Sequence, residues 1–177
     1  MAVVKSNFVK RGAGAKKAAK ATVRYIQNRP GRDGEKIIRT LFNREGETQR
    51  SDAYRMIDEA AKTDILFRFV ISRDPASEDK ERDLDMRNIT ENTMLKIEEI
   101  VGKTVHWTAA VHADHTDKRH IHTLAVVPGK IYAGHLNLIT HTATKACLEQ
   151  RQELDLVRNR RERERELRGE AQWGRGL

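Results

Sequence analysis

The sequence predicts an α+β domain, with a central antiparallel β-sheet, helices packed mainly on one face, and a long charged C-terminal helix. Three observations carry this. "DILFRFVISRDP", "KTVHWTAAVH" and "HIHTLAVV" have the apolar content and length of strands. The last two are separated by seven residues, "ADHTDKR", a length that suits a hairpin and is too short for a crossover to a parallel strand. Segments of helical period lie before, between and after these strands. The organisation expected is a domain over residues 1–150 and a charged helical extension over 151–177.

In order, "AVVKSNFV" reads as a short strand. The Ala and Lys content of "KRGAGAKKAAKATVRYIQNR" favours helix, which Pro30 and Gly31 stop. "KIIRTLFN" is a candidate strand ended by "REGE". "SDAYRMIDEAAK" reads as a helix with Ser51 as its N-cap. Pro75 ends the apolar strand "DILFRFVIS". Ile89, Thr93, Met94, Ile97, Ile100 and Val101 then fall on one helical stripe that Gly102 closes. From about His135 to Gly169 the pattern is one long helix. Its end, "RNRRERERELRGE", reads as a solvated face.

The chain has 177 residues, 34% of them charged and 38% hydrophobic, enough apolar content for a core beneath long solvated surfaces. Its net charge of +8 favours an anionic partner, nucleic acid first and an acidic membrane surface second. A single cysteine, Cys147, excludes an intramolecular disulfide and fits a reducing cytoplasm. "MAVVKSNFVKRG" lacks the apolar core of a signal peptide, and no run is long enough to span a bilayer. A cytoplasmic chain without membrane insertion is expected.

"VHADHTDKRHIHTLAVV" holds four of the seven histidines. Strand side chains alternate between faces, so His120 and His122 share one face with Leu124 and Val126. In the preceding strand His112 shares a face with His106, Thr108 and Ala110, and the hairpin brings His112 beside the other two. Thr108 and Ala110 are small and leave room for something large across the sheet. Three neutral imidazoles on adjacent strands bind a divalent metal and leave coordination positions open, and such a metal acts as a Lewis acid on a phosphoryl oxygen. His106 lies six residues from His112, roughly 20 Å away, too far to share the ion. His115, in the loop, is an alternative ligand.

This stretch resembles the third motif of the HUH endonuclease superfamily, named for its His-hydrophobe-His pair. It is more similar to the relaxases of plasmid mobilisation and conjugation than to replication initiators. In relaxases a distal His, often followed two residues later by Asp, precedes the pair; the matching residues are His112, Asp114, His120 and His122. The resemblance implies that the three histidines hold Mg²⁺ or Mn²⁺ against the scissile phosphate of single-stranded DNA. Asp114 would orient a ligand imidazole. The spacing from His112 to His120 is one residue longer than the commonest pattern, and "VVPG" stands where an Asn often follows.

Cleavage that keeps the bond energy needs a covalent acceptor, and a tyrosine phenolate serves. Relaxases place this residue near the N-terminus, which matches Tyr25 in "TVRYIQNRPGR". Tyr132 is the competitor, and Tyr54 reads as core. "FRFVISRDP" resembles the second relaxase motif, which makes Ser72 a DNA contact. Lys16, Lys17, Lys20, Arg24, Arg29, Arg32 and Lys36 are candidates to line a phosphate groove, and Lys118 and Arg119 lie in the hairpin loop beside the metal.

The function expected is metal-dependent, site- and strand-specific nicking and transfer of single-stranded DNA through a 5′-phosphotyrosine, as in plasmid mobilisation or conjugative transfer. The implied partners are an origin-of-transfer-like single strand, DNA-binding accessory proteins and a transfer coupling protein. The alternatives are a non-catalytic single-strand-binding protein that keeps the fold, a rolling-circle replication initiator, and a hydrolase of small phosphate esters.

Overall fold

A computed structural model describes residues 2–9, 14–74, 76–113 and 119–173. Six strands form one antiparallel sheet: β1 (Val3–Phe8), β2 (Leu41–Phe42), β3 (Glu47–Thr48), β4 (Ile65–Ser72), β5 (His106–His112) and β6 (His120–Val127). Their order across the sheet is β1-β4-β6-β5-β2-β3. The helices are α1 (Ala15–Asn28), α2 (Arg50–Glu59), α3 (Met86–Val101) and α4 (Ala133–Trp173). None of the described helices is long and apolar enough to cross a membrane.

The helices cover both faces of the sheet, which corrects the expectation of one covered face. Phe67, Phe69 and Ile71 of β4, Trp107 and Ala109 of β5, and Ile121, Ala125 and Val127 of β6 pack with residues of α3 and α4. The alternate residues Leu66, Ala110, Leu124 and Val126 pack with Ala19, Val23 and Ile26 of α1 and Ala53 and Ile57 of α2. The reason lies in β6, where every residue from Ile121 to Val127 is buried. A strand apolar on both faces needs a cover on each, at about 1.5–3 kcal/mol of stabilisation per large side chain removed from water. The room above the small residues Thr108 and Ala110 is therefore partly taken by α1, and Ala110 is fully buried beneath it.

Two local expectations also shift. Of "KIIRTLFN" only Leu41 and Phe42 are strand, and "REGE" supplies a hairpin to β3, with Gly46 at φ +139 and its carbonyl accepting from the Asn43 amide at 2.8 Å. Helix α2 starts two residues earlier than expected, with Gln49 and not Ser51 at its N-cap. Helix α3 is capped by Asp85, which accepts from the Arg87 and Asn88 amides, and ends at Gly102 in the left-handed region. Helix α4 runs unbroken through residue 150, burying Ile139, Ala143, Ala146 and Cys147 and leaving residues 155–168 exposed.

Candidate metal centre

The β5–β6 register sets His112 directly opposite His120 and Ala110 opposite His122. The three imidazoles therefore converge from one face of two strands, with ring centroids 4.5 Å apart for His112–His122, 5.0 Å for His120–His122 and 5.4 Å for His112–His120. One nitrogen from each lies within 4.8 Å of the others. These three histidines can bind a metal ion. Among the described residues the group contains no carboxylate.

His122 supplies the test of fit. Both of its ring nitrogens are buried and make no hydrogen bond. An imidazole left so forfeits about 1–3 kcal/mol for each orphaned group, and a cation would take up its lone pair. Burial first, then the neighbouring His112 and His120, then the guanidiniums of Arg29 and Arg68, push His122 down to about 3. It is neutral at neutral pH, the form that binds metal.

Helix α1 meets the cluster at its C-terminal end for a reason written in its sequence. The carbonyl of Ile26 would ordinarily accept from the amide four residues on, but that residue is Pro30, which has none. The His112 Nε2–H donates to it instead at 2.8 Å. A carbonyl can only accept, so the proton is on Nε2 and the lone pair is on Nδ1. The next carbonyls are satisfied by Arg39, whose amide donates to Gln27 and whose guanidinium donates to the Arg29 carbonyl at 2.7 Å. The helix end is thus fixed over the histidines. Tyr25, 43% exposed, sets its ring edge to face with His122 at 6.0 Å, and the Arg29 guanidinium lies 5.7 Å from the Tyr25 ring centre.

Tyr132 is remote from this cluster. It follows β6 at the end opposite His120 and pairs its exposed ring with His135. Tyr54 is half-buried on α2 beneath Lys20 and Arg24. Ser72 lies directly across from His120 on β4 and is half-buried.

The expected basic groove divides. Lys16, Lys20 and Arg24, four residues apart, form one stripe of α1 turned toward α2. Lys16 donates to the carbonyls of Asp58 and Ala60, Lys20 pairs with Asp58, and Arg24 donates to the Tyr54 hydroxyl. Only Arg29 of the helix set borders the histidines; Arg32 is exposed in the loop that follows. Arg119 is not a free cation of the hairpin loop either. Its guanidinium grips Asp79 with two bonds, 2.9 and 2.7 Å, and is largely buried. Asp79 also pairs with Arg73 at 2.8 Å, and Arg73 donates to the Arg119 carbonyl at 2.6 Å. This knot fastens the end of β4 to the start of β6, next to His120. Asp114, His115 and Lys118 lie outside the described residues.

Sequence reasoning missed Arg68. It is the one charged residue within the strand "ILFRFVIS", and its parity with Ser72 was the available signal of which face it joins. A cavity of 460 Å³ lies between α2 and the start of β5, lined by Met56, Ala60 and Thr108 and by none of the three histidines. The chain matches no family model, no curated protein and no solved structure.

Proposed function

We propose that the chain is a metal-dependent nickase and strand transferase of single-stranded DNA, a relaxase-like HUH endonuclease. The observation that carries this reading is the placement of Tyr25 against His122, whose two ring nitrogens are buried without hydrogen bonds in a three-histidine cluster. A partly exposed phenol at the rim of a candidate metal site is what covalent phosphodiester cleavage needs. Three imidazole nitrogens suit a borderline cation, so of the two ions expected, Mn²⁺ fits the donor set better than Mg²⁺. The bound ion would polarise a phosphoryl oxygen.

The residues then divide the work. His112, His120 and His122 would hold the ion, and the carbonyl of Ile26 fixes the His112 ring in its tautomer. Arg29 lies beside the Tyr25 ring, and the phenol gives up its proton to solvent as it attacks. The Tyr25 oxygen bonds to phosphorus, the bond from phosphorus to the 3′-oxygen breaks, and that oxygen takes a proton from water. The phosphotyrosine keeps the bond energy, so a returning 3′-hydroxyl reseals the strand and releases Tyr25.

The test uses labelled single strands drawn from DNA flanking the chain's own reading frame, incubated with Mn²⁺ and with or without chelator. A covalent adduct on a denaturing gel that needs metal and vanishes in Tyr25→Phe is expected. An adduct that survives Tyr25→Phe and disappears in Tyr132→Phe moves the nucleophile. Tight, salt-sensitive binding with no adduct on any strand leaves a non-catalytic binding protein.

A further inference from the structure

The sheet register lines up three rows of side chains on the face that carries the histidines. The first is Val3, Ser72, His120 and His112; the second is Lys5, Val70, His122 and Ala110; the third is Asn7, Arg68, Leu124 and Thr108. Helix α1 packs over the β5 and β6 end of these rows. At the other end Val3, Lys5 and Asn7 are exposed, so the floor continues from the histidines onto an open half made by β4 and β1.

Arg68 stands at the border between the covered and open halves. It is half-buried in the middle of β4, diagonal to His122 on the neighbouring strand, a relation that separates Cα atoms by roughly 7–8 Å. Its neighbours on this face are Asn7, Leu66, Val70 and Leu124, none of them acidic. Among the described residues no carboxylate pairs with it. The contrast with the other face is sharp: Arg73 and Arg119 there share the carboxylate of Asp79. Withdrawing a guanidinium partly from water without a counter-ion is unfavourable, and a bound anion relieves it. The planar fork of arginine suits a phosphate with two hydrogen bonds.

We propose that Arg68, with Lys5 beside it toward the sheet edge, binds a backbone phosphate of a single-stranded polynucleotide next to the phosphate held at the histidines. The strand then leaves the centre across the open half of the sheet, over β4 and β1. This rests on the reading of the chain as a single-strand nickase. It assigns the exit side of the strand, and it gives a binding role to a residue inside a strand that otherwise reads as core.

The experiment measures binding of a fluorescein-labelled single strand of random sequence by anisotropy, in Mn²⁺, across a series of NaCl concentrations. Backbone contacts carry no sequence information, so a random strand suffices. Arg68→Gln is expected to weaken binding about tenfold and to lower the slope of log affinity against log salt by about 0.7, the loss of one phosphate contact on a single strand. Arg68→Lys is expected to keep the slope and recover only part of the affinity. The Mn²⁺ affinity of Arg68→Gln, measured by calorimetry without the strand, is expected to be unchanged or tighter. Wild-type affinity and slope in Arg68→Gln overturn the assignment and leave the nickase reading standing. No strand binding by the wild type at any salt removes both. Should Arg68→Gln fail to fold, the exposed Lys5→Gln decides, with the same loss of slope expected and an unchanged slope overturning the track.

Discussion

The Nε2 of His112 on β5 donates to the carbonyl of Ile26 in the last turn of α1 at 2.8 Å. The imidazole thus closes the end of the helix that carries Tyr25 while its lone pair stays on Nδ1, within a cluster that can bind a metal ion. His120, half-buried at the start of β6, has a less enclosed position. His112→Ala is therefore expected to cost about 1–3 kcal/mol of stability even in chelator, because a buried carbonyl loses its donor. His120→Ala is expected to cost less. Urea unfolding of both variants in chelator checks this; equal losses would remove the helix-closing role of His112.

Metal binding should stabilise the fold by mass action. A ligand at a hundred times its dissociation constant adds about 2.7 kcal/mol when it binds only the native state. Mn²⁺ is expected to raise the melting temperature of the wild type, chelator to reverse the rise, and His122→Ala to abolish it. A rise that persists in His122→Ala would place the ion elsewhere on the chain.

Asp79 sets an acid limit. Burial raises its pKa, but the Arg119 hydrogen bonds and the charges of Arg73 and Arg119 outweigh burial and hold the carboxyl below the usual range. A carboxylate whose folded pKa lies below its unfolded value contributes stability above the unfolded pKa. That contribution fades as pH falls through the folded pKa. Asp79→Asn is expected to lose about 3 kcal/mol at pH 7, since it strands two buried guanidiniums, with the gap to wild type narrowing below about pH 4. It is also expected to weaken Mn²⁺ binding about tenfold, because Arg119 precedes His120 in the chain and anchors it. Urea titrations at pH 7, 5 and 3.5 with parallel Mn²⁺ calorimetry measure both; a gap that stays constant with pH would show that the pair does not act through its charge.

What could be read in the sequence follows from which forces are local. The parity of His120 and His122, and the short loop that turns His112 back onto them, depend only on the two-residue period of a strand, and the register agrees. Thr108 and Ala110 were misread because smallness signals close approach of something, without saying whether a ligand or α1 approaches. Pro30 announces that the Ile26 carbonyl lacks its helical donor, but nothing local names a partner 86 residues away. Arg119 and Asp79 are 40 residues apart, and their pairing is set by how α3 and the segment before it close over the sheet. Arg68 is hidden by its own strand, since an arginine among apolar residues looks like an exception until the open half of the sheet beside it is known.

The end of α4 separates fold from surface. Arg151 is nearly buried and holds Asp83 at 2.9 Å, and Leu154 packs against the core. Farther along, Arg158 reaches Glu81 and Asp83 only at 3.6 and 3.8 Å with its side chain 43% exposed. Exposed pairs of that kind contribute roughly 0–1 kcal/mol. Described residues from 159 to 168 are all exposed. Truncation after Arg158 is therefore expected to change stability by less than about 0.5 kcal/mol. Truncation after Gln150 removes Arg151 and Leu154, leaves Asp83 without its nearest cation, and is expected to cost about 2–4 kcal/mol. Urea unfolding of the two truncated chains decides it. Equal stability would mean that α4 contributes to the core only up to Cys147, and a loss already present after Arg158 would mean that the Arg- and Glu-rich turns hold the helix in place.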